Sequence, residues 1–275
     1  MNKKGKIDLS TVLGLLLALA GILGGLLLEG GKLSDVQQVT AALIVLGGTM
    51  GAVMVTTPLS VFLGAVKKLP SLFWHANIPT NAIIDLILQL SMTARRSGLI
   101  SLDDQLDSVP DPFLKKALRL AVDGTGSQDI RKIMELELSI MEQHGEAEAK
   151  VFEAAGGYAP TVGIIGAVLG LIQVMKHLED IERVGHGIAV AFVATVYGVA
   201  IANLFLLPSA NKLKHRLEEH LQAKEIMLEG ALSIAEGINP MLIRSKLEAY
   251  QHGEAPQPQS EKHASAADAR AVPVR

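Results

Sequence analysis

The chain has no cysteine among its 275 residues, which excludes disulfides, thiolate metal sites and a cysteine nucleophile together. Aromatic residues are scarce at 4%, and the basic residues are scattered rather than clustered with them. A nucleic-acid surface therefore has no footprint. The eight histidines sit in charged segments or beside apolar runs, without the close paired spacing of a zinc-binding helix. No grouping of nucleophile, base and metal ligand occurs, so the expectation is no enzyme, no catalytic residue, no metal and no cofactor. The most informative absence is local. Apolar residues make up 49% of the chain, and four long stretches contain no Asp, Glu, Lys, Arg or His: Leu9–Leu28, Val36–Val66, Gly156–Met175 and Gly187–Asn211.

Each stretch is long enough to cross a bilayer, which takes about 20 residues at 1.5 Å rise per residue. The first follows Lys3, Lys4 and Lys6 in the order of a signal peptide, but it is too long for one and no small-residue cleavage site follows. The second exceeds a single span, and Pro58 marks where its membrane portion gives way to an interfacial segment near Val61–Val66. Basic residues flank the spans unevenly: Lys67 and Lys68 follow the second, and Lys212, Lys214 and Arg216 follow the fourth. The short connections Glu29–Asp35 and Lys176–His186 carry fewer basic than acidic residues. The positive-inside bias then predicts a multi-pass protein with both termini and the large middle segment cytoplasmic.

The fold class expected is an all-α integral membrane protein with four spans and a helical cytoplasmic domain between spans two and three. In that domain Pro79-Thr80-Asn81 opens a helix that Gly98 closes after Arg95 and Arg96, and Pro112 opens another that ends at Asp123-Gly124. Ser127 is placed to cap a third, whose solvated acidic face carries Glu135, Glu137, Glu142, Glu146, Glu148 and Glu153 and which nothing breaks before Gly156. The division reads as residues 1–61 for spans one and two, 62–155 for the cytoplasmic domain, 156–210 for spans three and four, 211–250 for further cytoplasmic helices and 251–275 for a disordered tail.

Uncharged spans have a mechanistic meaning, because ion paths through hydrocarbon normally use an ionisable side chain. If this chain takes part in ion transport, a second polypeptide must supply that group; otherwise the spans are an anchor. Gly156, Gly157, Gly163, Gly166 and Gly170, with Ala159 and Ala167, recur at three-to-four spacing and form a face that lets a neighbouring helix approach closely. Pro160 reads equally as a first-turn proline at an ordinary helix start or as a hinge. Thr195, Tyr197 and Asn203 are polar positions of span four. A threonine hydroxyl there either bonds back to its own helix or helps solvate a passing ion.

The string Gly157-Tyr158-Ala159-Pro160-Thr161-Val162-Gly163-Ile164-Ile165-Gly166-Ala167-Val168-Leu169-Gly170-Leu171-Ile172 resembles the MotA/PomA flagellar stator family. So do Ala194-Thr195-Val196-Tyr197-Gly198, Ala202-Asn203 and Pro208, and the segment Ala94-Arg95-Arg96-Ser97-Gly98-Leu99-Ile100-Ser101-Leu102-Asp103 falls where that family has its counterpart. The resemblance implies a homo-oligomer of five A-type subunits around two single-span MotB-like B-type subunits in the bacterial inner membrane, with the B-subunit Asp carrying the ion. It implies that Pro160 and Pro208 couple ion flow to movement, and that Ala167, Thr195 and Tyr197 line the pore. Arg95, Arg96 and Asp103 would then meet the rotor protein FliG, an opposite-charge contact weak enough to be made and released repeatedly. Asp103 stands where Glu is commoner, which shortens reach by one methylene without changing sign. Sodium-driven relatives carry Thr where this chain has Ala167, and the lost hydroxyl favours protons.

Two other readings compete. An ExbB/TolQ-type energiser also borrows a partner's Asp, but has three spans and a domain after the first. A non-transporting membrane scaffold would use the same helices only as an anchor.

Overall fold

A computed structural model describes residues 6–75 and 79–251. Among them the only strand pairing is two residues long, Lys6–Ile7 antiparallel to Trp74–His75, and the rest is helix and short turns. The tail expected to be disordered lies outside the described residues, except that Gln251 ends the last helix. The chain forms two compact units, Met1–Ile78 with Glu135–Gln222 and Pro79–Met134 with Ala223–Arg275. Its units differ from the sequence-based ones, because the described residues 62–75 and 135–155 group with the spans.

Among the described residues four helices are long and apolar enough to cross a membrane, and their apolar stretches lie in the first unit. Helix α1 (Leu9–Leu28) starts at Asp8, whose carboxylate accepts the Thr11 N–H at 3.2 Å and the Ser10 hydroxyl at 2.7 Å. No residue of α1 is fully buried, so most of its apolar circumference is left for lipid or a neighbour. Helix α2 (Val39–Thr56) stops where Thr57 turns extended ahead of Pro58, and α3 (Leu59–Lys68) begins directly after. The residue before proline is driven out of the helical region, so the break at Pro58 falls as expected.

Helix α7 (Ser127–Lys176) is one continuous rod of 50 residues, about 75 Å long. Two expectations change here. Ser127 is the first helical residue rather than the cap, and the Gly126 carbonyl accepts the N–H groups of Asp129 and Ile130 at 3.0 Å. Pro160 lies deep inside the helix, so the first-turn reading is overturned. Helix α8 (Ile181–Ile201), capped by the Asp180 carboxylate on the Arg183 N–H, passes through a π-turn, Ala202–Leu206, straight into α9 (Leu207–Ala235). The boundary expected at Asn211 is therefore inside a helix. Val53, Ala65, Phe152, Ala155, Ala210 and Leu213 form a core joining α2, α3, α7 and α9.

The second unit is built from α4 (Thr80–Ser97), α5 (Asp103–Leu106), α6 (Pro112–Val122), the ends of α7 and α9, and α10 (Pro240–Gln251). Its apolar residues fall at helical spacing and are buried, among them Ile87, Leu106, Phe113, Leu118, Ile226 and Leu247. Helix α9 lies so close to α4 that a Cβ on Gly230 would meet Ile87 Cδ1 at 2.6 Å. Ion pairs join the same elements. Lys224, 5% exposed, puts its ammonium 2.7 Å from both oxygens of Asp111, the residue that caps α6, and 5.4 Å from the Phe113 ring centroid. Glu229 of α9 holds Arg131 of α7 and Lys246 of α10, each at 2.7 Å.

Burial pushes the Asp111 and Glu229 carboxyls up, but hydrogen bonds and charge from Lys224 on one, and from Arg131 and Lys246 on the other, outweigh it and hold both below the usual carboxylate range. A depressed folded-state pKa stabilises the fold above the unfolded value of about 4 and ceases to as pH falls through the lower folded value. Lys224→Met should therefore lower the stability of this unit by about 2 kcal/mol at neutral pH, between an exposed and a buried pair. It should also flatten the loss of stability below about pH 4. Urea-dependent proteolysis within the α4–α6 region of the purified protein measures both.

Candidate functional site

Two antiparallel helices that touch through their backbones form the centre of the first unit. A Cβ added to Gly163 would lie 2.8 Å from the Ala194 carbonyl oxygen and 3.3 Å from Gly198 Cα, and one on Gly170 would lie 2.8 Å from the Gly187 carbonyl oxygen. Only hydrogen fits at these points, so the three-to-four glycine spacing of α7 is the imprint of α8. Ala167 is half-buried next to Gly166, whose own Cβ would strike Ala194 Cβ at 2.7 Å. Thr195, half-buried, stands with its Cα 3.4 Å from the Gly163 Cβ position, so it belongs to the same seam.

The polar groups of the seam are spoken for by backbone. The Thr195 hydroxyl donates to the Ala191 carbonyl at 3.2 Å and Asn203 Nδ2 to the Val199 carbonyl at 2.9 Å. Such back-bonding spends the donor inside the helix and leaves the threonine oxygen able to accept. The Tyr197 hydroxyl donates to the Val36 carbonyl at 2.5 Å and accepts from the Gln38 N–H at 3.4 Å. It therefore ties α8 to the segment leading into α2, a bond between residues 161 positions apart that no local pattern announces.

Both prolines sit at irregularities that face each other. Pro160 has no N–H to give the Gly156 carbonyl four residues back, and its ring crowds that oxygen. Gly156 lies against Leu206 and Leu207, its Cβ position 3.6 Å from Leu206 Cβ and 2.6 Å from Leu207 Cδ2. Those two residues close the π-turn, in which the Leu207 N–H reaches the Ala202 carbonyl five residues back. Pro208 follows at once, and a widened turn is a common way to seat a proline ring in a continuing helix. Sequence inspection found the two prolines but not the π-turn between span four and α9, which has no residue signature of its own.

The charged turn lies in the second unit. Arg95 and Arg96 occupy the last turn of α4, Gly98 ends it with φ +86°, and Asp103 opens α5 after the 3₁₀ turn Leu99–Leu102. All three charged residues are exposed, and among the described residues none makes an ion pair or side-chain hydrogen bond. Ile100 between them is 78% exposed. The arrangement presents two positive charges, one apolar side chain and the Asp103–Asp104 carboxylates on one short connection. Gly98 holds that geometry, since a side chain at positive φ is strained.

A test of the seam follows. Gly163→Val drives a methyl into backbone and should cost about 1–3 kcal/mol or more by overpacking. The measurable result is a lower melting temperature of the solubilised protein, whereas Gly157→Val, with open space around its Cβ, should leave the melting temperature unchanged.

Residues 105–226 match the MotA/TolQ/ExbB proton channel family, and residues 12–98 match the motility protein A N-terminal family. Motility protein A of Bacillus subtilis is 36% identical over 249 residues, covering 89% of this chain and 91% of the relative. Motility protein A of Helicobacter pylori is 32% identical, covering 89% and 95%. Among solved structures, C. jejuni MotAB superposes with a TM-score of 0.85 at 31% identity, covering 92% of this chain and 100% of that one. The flagellar MotAB stator complex of Bacillus subtilis gives 0.80 at 35%, covering 88% and 95%. With relatives above 30% identity along nearly its whole length, an uncharged four-span body and the paired prolines, this chain belongs to the motility protein A family, within the MotA/TolQ/ExbB proton channel family.

Proposed function

We propose that the chain is the A-type stator subunit of a bacterial flagellar motor, forming with a MotB-like B-type subunit an ion channel whose flux drives torque on the rotor. The observation that carries this reading is the uncharged α7–α8 seam in a four-span protein, with the Gly156–Pro160 turn lying against the π-turn that precedes Pro208. A transmembrane carboxylate from a partner supplies the missing ion carrier, and the helices supply the wall that responds to it. The finer assignments follow the resemblance. Five copies surround two B-type subunits in the inner membrane, with both termini cytoplasmic. Ala167 and Thr195 face the ion path, Thr195 through its free acceptor lone pairs. Tyr197 supports that wall by fixing α8 to the start of α2, a role consistent with its spent hydroxyl.

Movement arises where helical hydrogen bonding is weakest. Losing one bond and relieving one clash makes the Gly156–Pro160 turn softer than the helix on either side, by about 3 kcal/mol relative to a regular turn. The π-turn before Pro208 is a second soft place against it. A change of charge on the partner's carboxylate alters the field at this pair of turns, and the helices yield there. Arg95, Arg96 and Asp103 then transmit force to FliG through exposed opposite-charge contacts, which are individually worth less than about 1 kcal/mol and so release easily.

Three outcomes test the reading in a motile host carrying the B-type partner. Pro160→Ala restores a regular helix and should abolish swimming while membrane abundance stays at the wild-type level. Arg95→Glu should abolish swimming too, with partial recovery when a facing charge on FliG is reversed; a swimming Arg95→Glu Asp103→Arg double variant on unaltered FliG would count against the rotor assignment. Swimming should persist when sodium is removed at constant proton-motive force, and Ala167→Thr should not by itself create sodium dependence.

A further inference from the structure

A cavity of about 360 Å³ opens beside Pro208, between the first half of α1, the 3₁₀ turn Leu69–Phe73 and the π-turn. Its wall is mostly apolar, with Gly14, Leu15, Ala18, Leu72, Phe205 and Pro208 among its residues, and its polar residues are Ser10 and Thr11 at the start of α1, Asn203 in the π-turn, and Ser209 and Lys212 in the first turns of α9. The volume is in the range of small-ligand pockets. Most of the wall belongs to two helices long and apolar enough to cross a membrane, with Leu72 and Phe73 of the 3₁₀ turn completing it.

The rim carries surplus positive charge in a fixed arrangement. The Asp8 carboxylate receives Lys212 Nζ at 2.5 Å and Arg216 Nη2 at 3.0 Å. The Lys212 hydrogen bond, helped by those from the Ser10 hydroxyl and the Thr11 N–H, holds the Asp8 carboxyl far below the usual carboxylate range against the opposing effect of burial. Lys212 also donates to the Thr11 hydroxyl, and Arg216 to the Ser71 and Leu72 carbonyls. Two cations against one anion leave one net positive charge, beside the positive end of the α1 dipole. Of the three, only Lys212 lines the cavity, and no other described charge does.

We infer that this cavity binds an anionic phospholipid, one acyl chain packed against the π-turn and Pro208 and the phosphate on Lys212 and the first-turn hydroxyls of α1. An apolar wall between two membrane-spanning helices suits an apolar occupant, and the net positive charge of the Asp8, Lys212 and Arg216 cluster, which reaches the cavity through Lys212, suits an anionic head on the same molecule. Its acyl chain would lie against Phe205 and Pro208, so lipid occupancy would bear directly on the softest part of the α8–α9 helix. The inference rests on the membrane-spanning reading of these helices and not on torque.

Native mass spectrometry decides it. The complex with its B-type partner is purified and placed in nanodiscs containing phosphatidylcholine and phosphatidylglycerol with identical acyl chains, then released by mild detergent. Wild type should retain phosphatidylglycerol in preference to phosphatidylcholine. Lys212→Gln should erase the preference, while Gly14→Leu and Ala18→Phe should cut retention of both about tenfold by filling the cavity. Gly14 has no heavy atom within 4 Å of its Cβ position, so leucine can enter without displacing a wall. Equal retention of the two lipids by wild type would overturn the inference, as would retention indifferent to both filling variants. A photo-cross-link placing a second copy of this chain in the cavity would do the same. Lipid counts involve no rotor: a complex that swims normally yet shows no preference sinks this inference alone, and one that holds the lipid yet makes no torque sinks the stator reading alone.

Discussion

The backbone contact between α7 and α8 is the constraint on which the rest of the membrane body depends. In hydrocarbon, helices gain nothing from hiding apolar side chains, which lipid solvates equally well, so close packing and backbone proximity must hold them together. Gly163, Gly170 and Gly198 meet that demand by presenting bare backbone to backbone. Once the helices are that close, no long or charged side chain fits the seam, and the wall is bound to be uncharged. The absence of an ion carrier and the tightness of packing are thus one fact seen twice.

Irregularity is confined to a place where it can be tolerated. Pro160 and Pro208 both deprive a carbonyl of its helical partner, and in a membrane such a loss is costly unless the surroundings adapt. The two turns face each other across Gly156, whose missing side chain makes room for Leu207, and the π-turn absorbs the second proline without ending the helix. The helices therefore remain continuous through their weakest points. The charged cluster of Asp8, Lys212 and Arg216 fixes the start of α1 and the Leu69–Phe73 turn to α9 within two turns of Pro208, so the soft segment is bounded by an anchored one.

The second unit solves a different problem, that of keeping short helices ordered in water. Asp111 illustrates how partial the sequence signal is. An aspartate before a proline announces the start of α6, because its side chain can cap the first N–H groups, and the structure has it doing so. The same carboxylate also holds Lys224, 113 residues away, and no local rule pairs the two. The same holds for Glu229 with Arg131 and Lys246, and for Tyr197 with Val36. Spacing rules see neighbours along a helix; they do not see which helix a side chain will meet.

Composition and periodicity alone determined that this chain has four uncharged spans, a helical body between the second and third, a break at Pro58, a helix end at Gly98 and a small-residue face along span three. Each of these follows from the chain's local chemistry: the dehydration cost of charge, the fixed φ of proline, the freedom of glycine, the 3.6-residue turn. Only tertiary structure decided that Pro160 lies in mid-helix opposite a π-turn, that the Tyr197 hydroxyl is spent on the backbone before α2, and that Asp8 gathers two cations beside the cavity at Pro208. Those depend on which backbones come into van der Waals contact, a choice made by the whole fold at once and written at no single position.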